Sequence, residues 1–222
     1  MMGGLATGVS LAQDNQSNIQ QVGERNTGTV LQTGDENQAS ILQGVNGYQL
    51  NGVRTMRNVA SQTQDGDNNL AEIQQGVESG MAIDNQATQT QEGDNKLSDH
   101  EQGVEDGFAT DNQATQTQDG DNNLADIEQG NGGPSRDNQA SQTQDGDNNL
   151  ADIEQGDRGP SWDNSASQTQ VGKDNSAFIQ QGGRFGFAFR NVARQTQDGD
   201  NNEAFIDQGA NDGEASDNQA TQ

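Results

Sequence analysis

The chain has 222 residues, a formal net charge of −25 and only 27% hydrophobic residues. Such a composition predicts disorder, unless a regular array buries hydrogen-bonded amide side chains in place of an apolar core. The absence of cysteine excludes disulfides and thiolate metal sites, and the acidic charge argues against a nucleic-acid partner. No stretch is long and apolar enough to insert into a membrane.

Residues 1–14 are interpreted as a leader ahead of the repeats. Most of residues 1–12 are small or apolar, and Ser10-Leu11-Ala12 resembles a small-x-small cleavage site. The basic region of a secretory signal is missing from this segment. Two interpretations therefore remain open, a signal-peptide remnant and a flexible leader.

A string close to QTQDGDNN recurs along the chain at intervals of 26 or 27 residues. Its second glutamine falls at Gln64, Gln91, Gln118, Gln144, Gln170 and Gln197. A fixed period of this length is the signature of a repeat fold. We divide the chain into the leader, N-terminal half-repeats with a long loop (15–57), six repeats (58–217) and a partial terminal repeat (218–222).

Each repeat contains two halves of seven residues, as in the halves that begin at Asn58 and Asn69. Their distinctive residues occupy positions 1, 3, 5 and 7, and a period of two predicts strands with these side chains on one face. Gly66 centres a tight turn between the halves. A longer loop, such as residues 77–84, 131–137 or 183–190, returns the chain to the next layer. We predict an all-β solenoid of about eight stacked strand–turn–strand layers, about 4.8 Å apart.

Stacking would turn the distinctive positions into inward ladders of identical side chains, in which amides hydrogen-bond to their copies above and below. Position 3 is nearly always Ala, and position 5 of the second half is nearly always Ile. The predicted ladder residues are Asn58, Gln62, Gln64, Asn69, Ile73, Gln75, Asn85, Gln89, Gln91, Asn112, Gln116, Gln118, Asn123, Ile127, Gln129, Asn138, Gln142, Gln144, Asn149, Ile153, Gln155, Asn164, Gln168, Gln170, Asn175, Ile179, Gln181, Asn191, Gln195, Gln197, Asn202, Ile206 and Gln208.

One layer departs from the pattern. Lys96, Ser98 and His100 replace the Asn, Ala and Ile of the second half, so we expect this layer to be the weakest. His100 is the only histidine, and we interpret it as a degenerate ladder position because nothing around it forms a catalytic pattern. We predict no enzymatic activity and no cofactor.

The turns carry acidic residues that resemble the start of a calcium loop. The string Asp65-Gly66-Asp67-Asn68-Asn69 has this form, but no bidentate glutamate follows at the required spacing. We therefore predict turns rather than metal sites. The stack is expected to align Asp67, Asp94, Asp121, Asp147, Asp174 and Asp200 in one column of like charges.

The outward positions form two different faces. The first halves present Thr-x-Thr rows, such as Thr88 with Thr90 and Thr115 with Thr117, and the second halves present a row of leucines beside acidic residues. The threonine rows resemble the flat ice-binding face of some β-solenoids, so ice binding or surface adhesion is the alternative function. The loop aromatics are Phe108, Trp162, Phe185, Phe187 and Phe189, which we expect either to cover the core or to form lateral contacts.

The pattern Ala-x-x-x-Gln-x-Gly-x-x-Asn-x-Ala-x-x-x-Gln resembles the curlin repeat of bacterial curli subunits. Two clean examples are Ala60, Gln64, Gly66, Asn69, Ala71 and Gln75, and Ala114, Gln118, Gly120, Asn123, Ala125 and Gln129. The resemblance implies a secreted functional amyloid of the biofilm matrix at the cell surface, with a nucleator subunit and secretion chaperones as partners. The repeat here is longer than the familiar unit and more acidic.

The ends of the repeat array predict how subunits join. Residues 15–21 read as a lone second half, and residues 218–222 begin a first half. We expect residues 15–21 of one copy to complete the layer that residues 218–222 of a neighbouring copy begin, which gives a homopolymeric fibre. The predicted junction residues are Asn15, Ser17, Ile19, Gln21, Asn218, Ala220 and Gln222.

Overall fold

The computed structural model describes residues 5–10, 14–44, 55–77, 81–104, 107–156, 158–182, 186–209 and 214–222. Within these ranges the chain forms β-strands joined by short turns, and no helix is present. All strand pairs are parallel and belong to three sheets. The predicted all-β solenoid is confirmed.

The strands are short and follow one another at regular intervals. They begin with β1 (Leu5–Ser10), β2 (Gln16–Gln21), β3 (Thr27–Thr33), β4 (Gln38–Gln43), β5 (Val59–Asp65), β6 (Leu70–Gln75), β7 (Met81–Ile83) and β8 (Gln86–Glu92). They continue with β9 (Leu97–Gln102), β10 (Phe108–Thr110), β11 (Gln113–Asp119), β12 (Leu124–Gln129), β13 (Pro134–Arg136), β14 (Gln139–Asp145), β15 (Leu150–Gln155) and β16 (Ser161–Trp162). The last are β17 (Ser165–Val171), β18 (Ser176–Gln181), β19 (Phe187–Phe189), β20 (Val192–Asp198), β21 (Glu203–Gln208), β22 (Glu214–Ser216) and β23 (Gln219–Thr221).

The three sheets are the walls of the solenoid. The first sheet has the order β1-β3-β5-β8-β11-β14-β17-β20-β23, and the second has the order β2-β4-β6-β9-β12-β15-β18-β21. The third sheet contains β7, β10, β13, β16, β19 and β22. The described residues thus give eight strands in the second sheet, close to the eight predicted layers, while six turns of the solenoid have all three walls.

The third sheet corrects the expectation that plain loops close each layer. The loops in residues 77–84 and 131–137 contain β7 and β13, and the loop in residues 183–190 contains β19. Each third-sheet strand buries one small side chain toward the core; these are Ala82, Ala109, Ser135, Ser161, Ala188 and Ala215, all at most 4% exposed. That small residue lies three positions before the next Asn, which is the sequence signal for this wall.

The corners require backbone conformations with positive φ. Gly66 has φ 119°, and Asn68, two residues later, has φ 57°. A Cβ atom at Gly66 would lie 2.2 Å from the carbonyl oxygen of Gly93 in the next layer. Glycine is therefore needed there both for its φ and because adjacent layers approach closely.

The interior has a thin apolar core between amide layers. One apolar cluster contains Ile127, Ile153 and Ile179 with facing alanines such as Ala114 and Ala140. A second cluster, nearer the N-terminus, includes Ile41 and Ile73. Small alanines let the first and second sheets approach, so little apolar surface is needed to fill the interior.

The N-terminal segment corrects the expectation of a lone second half at residues 15–21. Strand β1 pairs in parallel with β3, from Leu5 opposite Thr27 to Ser10 opposite Gln32, and supplies the missing first strand. The sequence pattern misses β1 because Gly8 and Ser10 occupy the positions of the ladder glutamines. Part of the predicted leader therefore belongs to the first sheet, and whether it is cleaved stays a prediction.

Candidate functional site: the buried amide ladders

A continuous ladder of glutamines runs through the second sheet. In each step the Nε2 atom of one glutamine donates to the Oε1 atom of the next, over 2.7–2.9 Å. Its members are Gln21, Gln43, Gln75, Gln102, Gln129, Gln155, Gln181 and Gln208. The ladder exists because in-register parallel strands place identical side chains directly above one another.

The first sheet holds two further glutamine ladders. The ladder from Gln32 to Gln197 has steps of 2.9–3.0 Å. The ladder from Gln62 to Gln195 has steps of 2.9–3.2 Å. Both run along the same strands at alternate positions, so their side chains share the interior face.

Each ladder amide also ties the first sheet to the second. Gln118 Nε2 donates to the carbonyl oxygen of Leu97 at 3.1 Å, and Gln116 Nε2 donates to that of Asp99 at 3.0 Å. In the other direction, Gln129 Nε2 donates to the carbonyl oxygen of Gln113 at 3.3 Å. An amide group has two N–H donors, and here one serves the ladder and the other the facing strand.

Asparagine ladders fix two of the corners. The backbone N–H of Asn85 donates to Asn58 Oδ1 at 3.0 Å, and Asn85 Nδ2 donates to the carbonyl oxygen of Ala109 at 2.9 Å. At the other corner, the backbone N–H of Asn149 donates to Asn123 Oδ1 at 2.9 Å. These bonds satisfy backbone groups that the turns remove from the sheets.

The structure places the predicted ladder residues inside the solenoid, and all of them are buried except Asn202, which is half-buried. Their amide groups account for most of the buried polar side chains. Because nearly all of these amide atoms are hydrogen-bonded, the interior is polar at little cost from unpaired groups.

All three glutamine ladders have the same direction. The donating Nε2 always belongs to the earlier residue and the accepting Oε1 to the later one. On the N-terminal side, the two first-sheet ladders stop before the end of the stack, because the Oε1 atoms of Gln32 and Gln62 are buried beneath β1 and β3 and have no partner in the described residues. The second-sheet ladder reaches β2, the first strand of its sheet, at Gln21. At the other side, Gln197 and Gln208 donate only to backbone carbonyls within the described ranges. A stack of these layers therefore has an acceptor end and a donor end.

The residues predicted to join subunits lie at opposite ends of the described stack. They are Asn15, Ser17, Ile19 and Gln21 in and beside β2, and Asn218, Ala220 and Gln222 in and beside β23. Within one chain the two groups do not meet, since β2 and β23 lie at opposite ends of their sheets. Contact between them in neighbouring copies stays a prediction.

The layer predicted to be weak has three substituted ladder positions. His100 is fully buried between Ile73 and Ile127, and neither ring nitrogen has a partner in the described residues. Burial lowers the pKa of His100 to about 3, so the ring is neutral near pH 7. An unpaired polar ring in an isoleucine column destabilises this layer.

Lys96 and Ser98 complete the defect. The Lys96 ammonium donates to the carbonyl oxygen of Glu92, and burial lowers the pKa of Lys96 against the opposing effect of nearby carboxylates. Lysine has no side-chain oxygen to accept the backbone N–H of Asn123, so the asparagine ladder is interrupted. Ser98 Oγ donates to Gln116 Oε1 at 2.5 Å.

The acidic turn column differs from the prediction in one member. Lys173, not Asp174, follows the turn glycine and therefore occupies the column, whereas Asp174 has the positive φ of 56° typical of the next position. The carboxylates also have partners: the backbone N–H of Asp67 donates to Asp94 Oδ1 at 2.8 Å. Lys173 Nζ lies 2.6 Å from Asp147 Oδ2. The column is thus not a simple row of repelling charges.

A second column of carboxylates lies on the outer face of the second sheet, where the sequence predicts acidic residues beside a row of leucines. Glu72, Asp99, Asp126 and Asp152 are in register on successive strands. One carboxylate oxygen in each of the three aspartates is buried without a partner in the described residues. Beside this column lie Glu101, Glu128 and Glu154 in the same register.

Burial and neighbouring charges raise the pKa values of these aspartates. Loss of hydration is the main cause, followed by repulsion from nearby carboxylates such as Glu128. The pKa of Asp126 is raised to about 9, that of Asp152 to about 7 and that of Asp99 to about 6. The column therefore binds protons in the neutral pH range.

No protein-family model matches the sequence, and no curated protein is similar enough to be a relative. The resemblance to the curlin repeat therefore depends on the motif residues alone. In the part of the chain that the structure describes, no helix could cross a membrane, and no cluster of three metal-ligating side chains is formed.

Proposed function

We propose that this protein is the structural subunit of an extracellular fibre of the curli type, which grows by end-to-end stacking of solenoids. The observation that carries the proposal is the single direction of the amide ladders. In the second sheet the ladder runs from Gln21 on the first strand to Gln208 on the last, so the Oε1 side of Gln21 and the Nε2 side of Gln208 face opposite ends of the stack. The two ends are therefore complementary, and the contact between copies is head-to-tail and does not close.

Backbone pairing supports the same arrangement. Every layer is joined to the next by parallel in-register strands, and a further copy can use the same register because the repeats are nearly identical. The end of a parallel stack exposes backbone donors and acceptors, which template another strand. Ladder and backbone bonds would then continue across the junction without a new type of contact.

The curlin resemblance also suggests where the protein is found and what it binds. We propose that it is secreted into the biofilm matrix, and that secretion chaperones and a nucleator subunit are its partners. It needs no cofactor and catalyses no reaction. Its function is mechanical, because a hydrogen-bonded stack resists unfolding and proteolysis.

Electron microscopy of purified protein tests the proposal. Protein incubated at neutral pH is expected to form unbranched fibres that bind an amyloid dye and resist protease. Fragments of preformed fibre are expected to remove the lag phase. Protein that stays monomeric and soluble at high concentration, with or without such seeds, would contradict the fibre function.

A second function, ice binding or adhesion to a flat surface, is favoured by the outer face of the first sheet. Thr115 lies in register with Thr88 and Ser141, and Thr117 with Thr90 and Thr143. The rows are interrupted by Arg194, which lies in register with Ser167. A thermal-hysteresis assay tests this alternative, which requires that the monomeric protein lowers the freezing point of water without assembling into fibres.

A further inference from the structure

The outer face of the third sheet contains a groove that neither the amide ladders nor fibre growth uses. The groove has a volume of about 510 Å³. It is lined by side chains of β10, β13, β16 and β19, including Phe108, Pro134, Arg136, Trp162 and Phe189, so it extends along the stack over four successive strands. At the usual strand spacing this is a length of about 14 Å. We name it the aromatic groove.

Aromatic surface is available to a ligand on two of the four strands that line the aromatic groove. Phe108 is 39% exposed and Trp162 is 40% exposed, although both are large apolar side chains. Between their strands lies β13, where Pro134 is in register with Phe108 and Arg136 with Trp162, and both line the groove. Two exposed rings that lie two strands apart offer separate stacking surfaces to an elongated ligand.

The Trp162 ring is held in place by a chain of contacts. Its centroid lies 5.9 Å from that of Phe189, in an edge-to-face arrangement. The Arg190 guanidinium carbon lies 4.5 Å from the centroid of Phe189, and Arg190 Nε lies 2.7 Å from Asp217 Oδ1. A ring fixed by such contacts loses little freedom when a ligand binds, which favours affinity.

Polar groups lie along the same groove. Asp137, Asp163 and Arg136 all contribute to its lining. Arg136 Nε donates to Asp137 Oδ2 at 3.1 Å, which leaves further guanidinium N–H groups for a ligand. A groove that combines exposed aromatic rings with carboxylate acceptors and guanidinium donors matches a ligand with apolar C–H faces and a rim of hydroxyl groups.

We propose that the aromatic groove binds a neutral polysaccharide chain. Pyranose rings have apolar C–H faces that stack on aromatic rings, and their hydroxyl groups can bond to Asp163 and Arg136. The net charge of −25 repels anionic polymers, and it also repels the side of a second copy of this chain. A neutral glycan meets no such repulsion. The elongated shape favours a chain over a single sugar.

Trp162 makes the groove directly observable, because it is the only tryptophan in the sequence. Freshly purified, unassembled protein is titrated with cellohexaose and with chitohexaose while Trp162 fluorescence is recorded. Oligogalacturonate of the same length serves as the anionic comparison. We expect a saturable fluorescence change with at least one neutral glycan and none with oligogalacturonate.

Two variants locate the binding. Phe108→Ala keeps the tryptophan reporter and is expected to raise the Kd about tenfold, which corresponds to a loss of about 1.4 kcal/mol in binding free energy. Leu124→Ala is the matched control, since Leu124 is 38% exposed but lies on the second sheet, and it should leave binding unchanged. Circular dichroism establishes that both variants keep their β structure.

Three outcomes would overturn the glycan proposal. They are no response to either neutral glycan, equal weakening by the two variants, or a fluorescence change that depends on protein concentration in the absence of sugar. The last would assign the groove to contacts between copies. Because binding is measured on unassembled protein, failure to bind glycan and failure to form fibres are separate results.

Discussion

The side-chain amide of Gln118 donates a hydrogen bond of 3.0 Å to Gln144 Oε1, and both side chains are fully buried. The same amide donates to the carbonyl oxygen of Leu97 at 3.1 Å, and Gln118 Oε1 accepts from Gln91 at 3.0 Å. One side chain therefore joins three layers along the stack and two sheets across it. The stability of the fold depends on such residues as much as on its thin apolar core.

Replacing Gln118 with Leu should lower the free energy of unfolding. The Gln91 donor and the Gln144 acceptor would both be left buried without a partner, at a cost of about 1–3 kcal/mol each. Chemical denaturation followed by circular dichroism measures the change. Thr115→Ser, on the outer face of the same strand, is the control and should change stability little. Equal effects of the two substitutions would show that the ladders are not important for stability.

Repairing the weak layer should stabilise the protein. His100→Ile fills the isoleucine column and removes two unpaired ring nitrogens, which should add about 1–3 kcal/mol. Lys96→Asn should increase the stability further, because the side-chain oxygen of the introduced asparagine can accept a hydrogen bond from the backbone N–H of Asn123. Thermal unfolding of the single and double variants measures both effects. A double variant no more stable than the natural protein would show that this layer is not a defect.

The carboxylate column predicts a dependence of stability on pH. Asp126 and Asp152 have pKa values in the folded protein of about 9 and about 7, above the ordinary 3.8, so the folded state binds more protons than the unfolded state. Stability should therefore rise as pH falls from about 9 toward about 6.5. Below that, His100 acts in the opposite sense, because its pKa in the folded protein is lowered to about 3 from 6.5.

Asp126→Asn tests the source of this dependence. The variant should be more stable than the natural protein at pH 8 and should show a smaller change between pH 8 and pH 6.5. Asp145→Asn, at an exposed position on the first sheet, is the matched control for the change in net charge. A pH dependence that is as large in the Asp126 variant as in the control would refute the assignment.

Alanine substitutions at two turn glycines distinguish the effect of backbone strain from that of steric crowding between layers. Gly120 and Gly199 have φ values of 96° and 109°, so alanine is strained at both by about 1–2 kcal/mol. A Cβ atom at Gly120 would lie 2.2 Å from the Gly146 carbonyl oxygen, whereas at Gly199 the nearest atom, on Asn202, is 3.6 Å away. Gly120→Ala should therefore destabilise the protein much more than Gly199→Ala. Equal losses in thermal unfolding would exclude close packing of the turns.

The positions of the ladders could be predicted from the sequence because they depend on two local regularities. A period of two assigns Gln116 and Gln118 to one face of a strand, and a period of 26 or 27 residues brings copies into register. The weak layer was recognisable for the same reason, since Lys96 and His100 interrupt an otherwise constant column.

Other features could not be predicted because they depend on distances across the fold. The three-residue strand β13 is too short to show a period, and only the small side chain of Ser135 marks it. The alternating pattern assigns Asp126 to the outer face, but its buried oxygen and raised pKa arise from neighbouring strands. The aromatic groove combines residues from four layers, so no single repeat contains it.

X-ray diffraction from aligned fibres tests the central claim most directly, because it reports the direction in which the layers stack. If the solenoids join end to end, the strong reflection at about 4.8 Å from strand spacing lies along the fibre axis. The amide ladders would then run continuously through each filament. A strand-spacing reflection perpendicular to the fibre axis, or fibres that lack it, would contradict growth by stacking of the ladder ends.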